Sequence, residues 1–303
     1  MHRPVTFRNR TWDVAATLEL PPGFDEARTY AAIVCVHPGS SVKEQTAGLY
    51  ARKLADQGFV ALVLDASFQG ASGGEPRHLE DPATRVEDVR CAVDHLTTLG
   101  FVDADRIGVL GVCAGGGYAV NAAMTEHRIR AVGAVVAINI GAAHRERDAL
   151  ATLAQVGAQR TAEARGAPPR LDPWIPDTVD AMKQAGITER DVVEAVTYYR
   201  TPRGQHPRSD NRLRFTSLGA VLAFDAFHLV ETLLTQPLQL VMGDVVGAFN
   251  SPKHGRELFE RATGDKALHI VKGASHYDLY DQPGPVAEAL AQLVPFYRKH
   301  LGA

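Results

Sequence analysis

The run Gly111-Val112-Cys113-Ala114-Gly115-Gly116-Gly117 sets a cysteine between glycines two residues before and two after it. An apolar stretch leads into it and a glycine-rich helix start follows. A G-x-nucleophile-x-G turn between strand and helix is a nucleophile elbow. The bend is so tight that the flanking residues must be small, and it lifts the nucleophile clear of the sheet. A thiol presented this way can attack a carbonyl and form an acyl-enzyme. The helix N-terminus is expected to favour the thiolate, lowering a thiol pKa otherwise near ~8.5. The run lacks the Lys-Ser/Thr of a phosphate loop and the G-x-G-x-x-G spacing of a dinucleotide fold.

A nucleophile needs a base, and the chain order nucleophile–acid–histidine puts it just past the final strand. There Ala267–Lys272 is followed by Gly273-Ala274-Ser275-His276, which selects His276 from the 12 histidines. The acid belongs in the loop after the preceding strand, Val241-Met242-Gly243, three or four residues past its glycine; those positions hold Val246 and Gly247. Asp244, one residue past Gly243, is the nearest candidate, and Asp225, beside Phe224 and near Phe227, is the alternative. A Cys–His pair can also operate without a strong third member.

The oxyanion of an acyl transfer needs preorganised N–H donors. One is expected from the backbone of Ala114, the residue after the thiol. The other is expected from His37-Pro38-Gly39-Ser40-Ser41; Pro38 has no N–H, so the donor is Gly39 or Ser40. His37 is expected to orient this loop. The loop Asp65–Glu75 converges on the same edge, mostly as turn formers. Cys35 and Cys91 are explained by packing, and the cysteines and histidines show no metal spacing, so no cofactor or metal is expected.

These residues must be carried by a sheet. Trp12, Val14, Ala16, Leu18 and Leu20 alternate with more polar residues, predicting a strand that forms an antiparallel opening hairpin with Val5–Arg8. Tyr30–Val36, Phe59–Leu64, Arg106–Val112 and Ala131–Ile140 are apolar on both faces, as strands covered by helices on each side would be. Leu238–Met242 and Leu268–Val271 are the last two strands. Between them, Glu44–Gln57 and Arg85–Leu99 carry apolar residues at helical spacing and stop at Gly58 and Gly100. Val286–Leu301 is a closing amphipathic helix expected to bend at Pro295. Such alternation predicts an α/β fold with a mostly parallel sheet and helices on both faces.

The segment 141–214 breaks the rhythm: it has no strand pattern, helical stretches at Arg147–Arg165 and Val192–Tyr199, and a Pro/Arg-rich middle. Long insertions tend to carry binding function, so it is expected to be a helical cap over a core formed by residues 1–140 and 215–303. The cap would offer a partly apolar pocket with Trp174, Tyr198 and Tyr199, and Arg200 and Arg203 for a carboxylate.

Composition sets the class. The 303 residues are 45% hydrophobic and 22% charged, with net charge −3 from 32 basic and 35 acidic residues. That balance gives no electrostatic case for nucleic acid or an anionic membrane. The apolar runs are too short to span a bilayer, MHRPVTFRNR does not resemble a secretory signal, and three cysteines make no disulfide framework. A cytoplasmic, thiol-bearing enzyme is the expectation.

GVCAGG after a strand, with HPG before it and GASH near the end, resembles the α/β-hydrolase fold, and its cysteine elbow is similar to that of the dienelactone hydrolases. The fuller set, including YYRTPRGQHP and FDAFHL, looks like a bacterial branch related to dienelactone hydrolases and acetyl xylan esterases, over about Val5 to Leu301. The resemblance implies Cys113 as nucleophile, His276 as base and Ala114 as an oxyanion donor. The chain departs from it in lacking the usual post-strand Asp and in carrying the long segment 141–214. The expected activity is cleavage of an ester, lactone or thioester bond in a small acyl substrate. The rivals are acyl transfer through the same acyl-enzyme and a non-catalytic binding protein on a hydrolase fold.

Overall fold

The computed structural model describes residues 1–302. The chain opens with the expected hairpin, β1 (His2–Asn9) antiparallel to β2 (Trp12–Glu19). There follow β3 (Tyr30–Val36), α1 (Thr46–Ala55), β4 (Val60–Leu64), α2 (Pro82–Thr97) and β5 (Val102–Val112). Helix α3 (Ala114–Ala123) leads to β6 (Ile129–Val135). Between β6 and the next long strand come α4 (Ile140–Arg145), α5 (Ala149–Ala164), β7 (Leu171–Pro173), α6 (Val179–Gln184), α7 (Arg190–Tyr199) and β8 (Arg212–Arg214). After α8 (Leu218–Ala223) and α9 (Val230–Leu233) come β9 (Leu238–Gly243), α10 (Ser251–Arg261), β10 (Lys266–Val271), α11 (Asp278–Asp281) and α12 (Pro283–Leu301).

Eight strands form one sheet in the order β1-β2-β4-β3-β5-β6-β9-β10. Only the pairings of β2, with β1 and with β4, are antiparallel; from β4 to β10 every neighbour is parallel. The carboxyl ends of the parallel strands therefore face one edge, where such sheets bind ligands.

Each sheet face has its own core. On one side Ala32, Val34 and Val36 of β3 pack with Val86, Val89, Val93 and Leu96 of α2 and with Tyr118 and Ala119 of α3. On the other, Ala31, Ile33 and Cys35 pack with Ala47, Ala51 and Leu54 of α1 and with Leu293, Tyr297 and Leu301 of α12. The apolar faces read from the sequence are the buried ones, each fully buried Val or Leu contributing about 1.5–3 kcal/mol. Pro295 lies inside α12.

The structure departs from expectation in several places, β5 for example starting at Val102 rather than Arg106. Helix α2 starts at Pro82 because the Asp81 carboxylate accepts from the N–H groups of Ala83 and Thr84, a cap with proline at the first helical position. Strand β6 stops at Val135, since Val136 turns to φ 43° and Asn139 caps α4. The segment expected to lack strands contains the antiparallel pair β7–β8; three residues per strand are too few for a period-two pattern. Among the described residues, no helix is long and apolar enough to cross a membrane.

Candidate active site

Cys113 sits between β5 and α3 with φ 56° and ψ −125°, the strained bend expected of an elbow. A Cβ at Gly111 would collide with the Gly115 carbonyl, and one at Gly115 with the carbonyls of Val36 and His37. The sequence needs glycine at both positions because backbone passes where a side chain would be. The bend is tied in place by Cys113 N–H to Val135 O (3.0 Å) and by two donors to its carbonyl, from Gly116 (2.9 Å) and Ile138 (3.0 Å).

The expected oxyanion donors are neighbours. A Cβ on Gly39 would lie 3.9 Å from that of Ala114 and 3.6 Å from the Trp174 ring. The Ala114 N–H faces the Cys113 sulfur and favours its thiolate. The Gly39 loop is held from beneath and from above. Below, His37 Nε2 accepts from Ala66 N–H at 2.9 Å and Arg85 donates to the His37 carbonyl at 2.7 Å. Burial and the nearby Arg85 charge keep this imidazole neutral, well below the usual histidine range. Above, Asn211 donates to Ser40 Oγ at 3.0 Å, and Arg200 fixes Asn211 through its Oδ1 at 2.6 Å. In the Asp65–Glu75 loop, the buried Asp65 accepts from the Lys43 and Ala71 N–H groups at 2.7 and 2.8 Å and pairs with Lys43 Nζ at 3.0 Å. That loop braces the site.

His276 arrives on the turn after β10 and is 3% exposed. Its Nδ1 lies 3.1 Å from Ser251 Oγ and its Nε2 lies 3.3 Å from Tyr280 Oη. The nearby Tyr280 hydroxyl favours the Cys113 thiolate. Phe249, Tyr277 and Tyr280 surround the ring at centroid distances of 5.5, 5.2 and 5.3 Å. Tyr198 and Tyr199 extend this aromatic wall from α7.

Burial changes the protonation expected of the pair. It pushes the Cys113 thiol up to about 11, overriding the Tyr280 hydroxyl and the Ala114 N–H. It also drives His276 down to about 3. At neutral pH the free protein therefore holds a neutral thiol and a neutral imidazole. The expectation of a thiolate fails because desolvation outweighs the helix N-terminus here.

Neither expected acid meets the imidazole. Asp244 is exposed and accepts from Gly273 N–H at 2.7 Å, tying down the turn that carries His276. Asp225 accepts from Asn139 Nδ2, at the start of α4, at 2.7 Å and from Phe227 N–H at 3.0 Å. Among the described residues, no carboxylate hydrogen-bonds His276.

A third carboxylate, absent from the sequence reading, lies behind the site. Asp191, in the first turn of α7, is 1% exposed. Its Oδ2 accepts from Phe249 N–H at 2.6 Å, and its Oδ1 has no partner. Burial raises it to about 6, against the pull of the Phe249 N–H. A Cβ on Gly247 would run into this carboxyl group. Asp191 thus fills the volume that a side chain would occupy at a position where the sequence expects the acid. Its only local signal is an acidic residue in a helix first turn, which is common.

The two arginines expected to await a carboxylate are engaged. Arg203 grips Asp281 with three contacts of 2.7–2.9 Å and donates to the Tyr277 carbonyl at 2.8 Å. Arg200 also donates to the carbonyls of Pro176 and Asp210. Trp174 packs over Gly39, with His144 edge-on at 5.9 Å.

Comparison with known proteins gives the same architecture. An Escherichia coli K12 protein, designated uncharacterized protein YcjY, is 43% identical over 99% of this chain and 100% of its own length. The crystal structure of hypothetical protein PA2218 from Pseudomonas aeruginosa superposes with TM-score 0.88 at 32% identity, covering 99% of this chain and 94% of that one. A protein of Eupenicillium brefeldianum named thiohydrolase is 27% identical over 90% of this chain and 87% of its own. The alpha/beta hydrolase family matches residues 33–289, from the strand that leads into His37–Ser41 to the closing helix behind His276, and the chain belongs to that family.

Proposed function

We propose that this hydrolase cleaves ester, lactone or thioester bonds of small acyl substrates with Cys113 as nucleophile, His276 as base and segment 141–214 as the cap. The observation that carries the reading is the strained Cys113 bend with the Ala114 and Gly39 backbones side by side beneath Trp174. The cysteine elbow keeps the chain similar to the dienelactone hydrolases, and the relative named thiohydrolase agrees with a thioester substrate.

Because thiol and imidazole both rest neutral, the proton leaves sulfur as the sulfur attacks. The carbonyl oxygen becomes an oxyanion held by the N–H of Ala114 and of Gly39. Collapse breaks the bond to the leaving group, which takes the proton from His276 and leaves an acyl-cysteine. Water then gives its proton to His276 and attacks, releasing the acid and restoring the thiol. Asp191, in the space beside Gly247, holds the Phe249 N–H and with it the ring that packs edge-on to His276. The buried aromatic wall of Tyr198, Tyr199, Tyr277 and Tyr280 favours an apolar acyl group. By limiting water it also favours transfer to an added alcohol or amine, which product analysis with and without acceptor would detect.

Cys113→Ala is expected to lower turnover of an activated aryl ester or aryl thioester by at least about 10³-fold. Wild-type turnover by that variant would eliminate the nucleophile assignment.

A further inference from the structure

We propose that Arg85 is a positioning residue that sets the spacing of the two oxyanion donors; this rests on Cys113 as nucleophile and on the Ala114–Gly39 reading above. Those donors belong to separate elements, Ala114 to the start of α3 and Gly39 to the loop after β3. Arg85, in the first turn of α2, touches both elements. Its Nη2 donates to the His37 carbonyl at 2.7 Å, two residues before Gly39. Its guanidinium lies 4.8 Å from the centre of the Tyr118 ring, on α3 four residues after Ala114. Its Nε stands 3.5 Å from Glu80 Oε1, which accepts from the Tyr118 hydroxyl at 2.7 Å. One planar group thus grips the loop and the helix together.

The gripped carbonyl is also where loop and elbow meet. A Cβ on Gly115 would come within 2.6 Å of the His37 oxygen, so that oxygen packs on the α3 backbone one residue past Ala114. The group has little room to shift. Arg85, Glu80, Tyr118 and His37 are each at most 3% exposed. Glu80 Oε2 accepts from Gln69 Nε2 at 2.7 Å, and the Glu80 N–H donates to Ser217 Oγ at 3.0 Å. A buried ion pair adds little stability over apolar side chains of the same volume. What the guanidinium supplies instead is direction, a rigid fork aimed at one carbonyl while its plane lies over an aromatic ring.

Acylation of Cys113 builds negative charge on a carbonyl oxygen. Alkylation by iodoacetamide displaces iodide at a saturated carbon and builds none there. The ratio of the two rates therefore reads the oxyanion site separately from the thiol. Arg85→Lys keeps the charge and loses the fork. Single-turnover acylation by an aryl thioester should slow about 10–10²-fold, as for a donor displaced rather than lost, with the steady-state KM within about threefold. Alkylation of Cys113, followed by peptide mass mapping, should stay within about twofold of wild type.

Tyr118→Phe keeps the ring and drops only the bond to Glu80. It should slow acylation about three- to tenfold with alkylation again unchanged, and it decides the outcome where circular dichroism shows Arg85→Lys unfolded. A packing role alone would move both rates together, because alkylation follows access to the thiol. Acylation at the wild-type rate in the folded variant, or parallel losses in both reactions, overturns the positioning role. Failure of the nucleophile reading looks different: wild-type protein already alkylated at Cys113 would still turn over the thioester.

Discussion

Replacing His276 by Gln removes one buried titratable ring and should make folding less sensitive to acid. In the native protein burial lowers this imidazole from 6.5 to about 3. Between those values the unfolded chain binds a proton that the native state refuses, so stability falls as pH drops through the window. Above the unfolded pKa both states are neutral and the group contributes no pH dependence. Near pH 4.5 the gap of about two units amounts to about 3 kcal/mol, growing to about 4 kcal/mol at pH 3. Urea unfolding of wild type and His276→Gln near pH 7.5 and near pH 4.5 gives four free energies. The wild type should lose about 3 kcal/mol more than the variant between the two conditions. His144, Asp88 and Asp191 also titrate off their usual values, but both proteins carry them, and the double difference cancels them. Equal losses would mean that water hydrates the ring in the native state, and the account of a neutral resting pair would be wrong.

Two further outcomes follow from Asp191. Asp191→Asn should reduce acylation at least about 10-fold while stabilising the fold at pH 7.5 by up to about 3 kcal/mol, because a carboxyl raised to about 6 is costly to ionise there; Asp244→Asn, which keeps an oxygen to accept from the Gly273 N–H, should stay within about threefold of wild-type activity. Kinetics and urea titration of the two variants check this, and the reverse ranking would return the acid to Asp244. Gly247→Ala should cost about 1–3 kcal/mol by pressing a methyl group into the Asp191 carboxyl, and clearly less in an Asp191→Ala background. Additive effects in that cycle would show that the two residues do not share the space.

The sheet and the bend were legible because local patterns encode them. Buried strands are unbroken apolar runs, and a tight turn leaves glycines at Gly111 and Gly115. His276 could be found from strand order alone, since the fold fixes which loop carries it. Asp191 could not, because it reaches the site through the placement of α7 against the loop before α10, and its neighbours in sequence say nothing of that packing. Protonation is hidden from the sequence for a related reason. A helix N-terminus is visible in sequence, whereas the burial that overrides it comes from Tyr277, Tyr280 and Tyr199 converging from distant parts of the chain. Nothing in the local sequence signals that Asn211 and Asp281 claim Arg200 and Arg203.

Segment 141–214 sends Asp191 to the loop before α10, Arg203 to Asp281, Asn211 to Ser40 and Trp174 onto Gly39. It is therefore not an interchangeable module. A chimaera that borrows residues 141–214 from a homologue, in the hope of changing substrate preference alone, would also exchange the struts on both loops flanking the sulfur. Such a graft has to bring matching partners at positions 40, 247 and 281, or it will trade selectivity for a misaligned thiol.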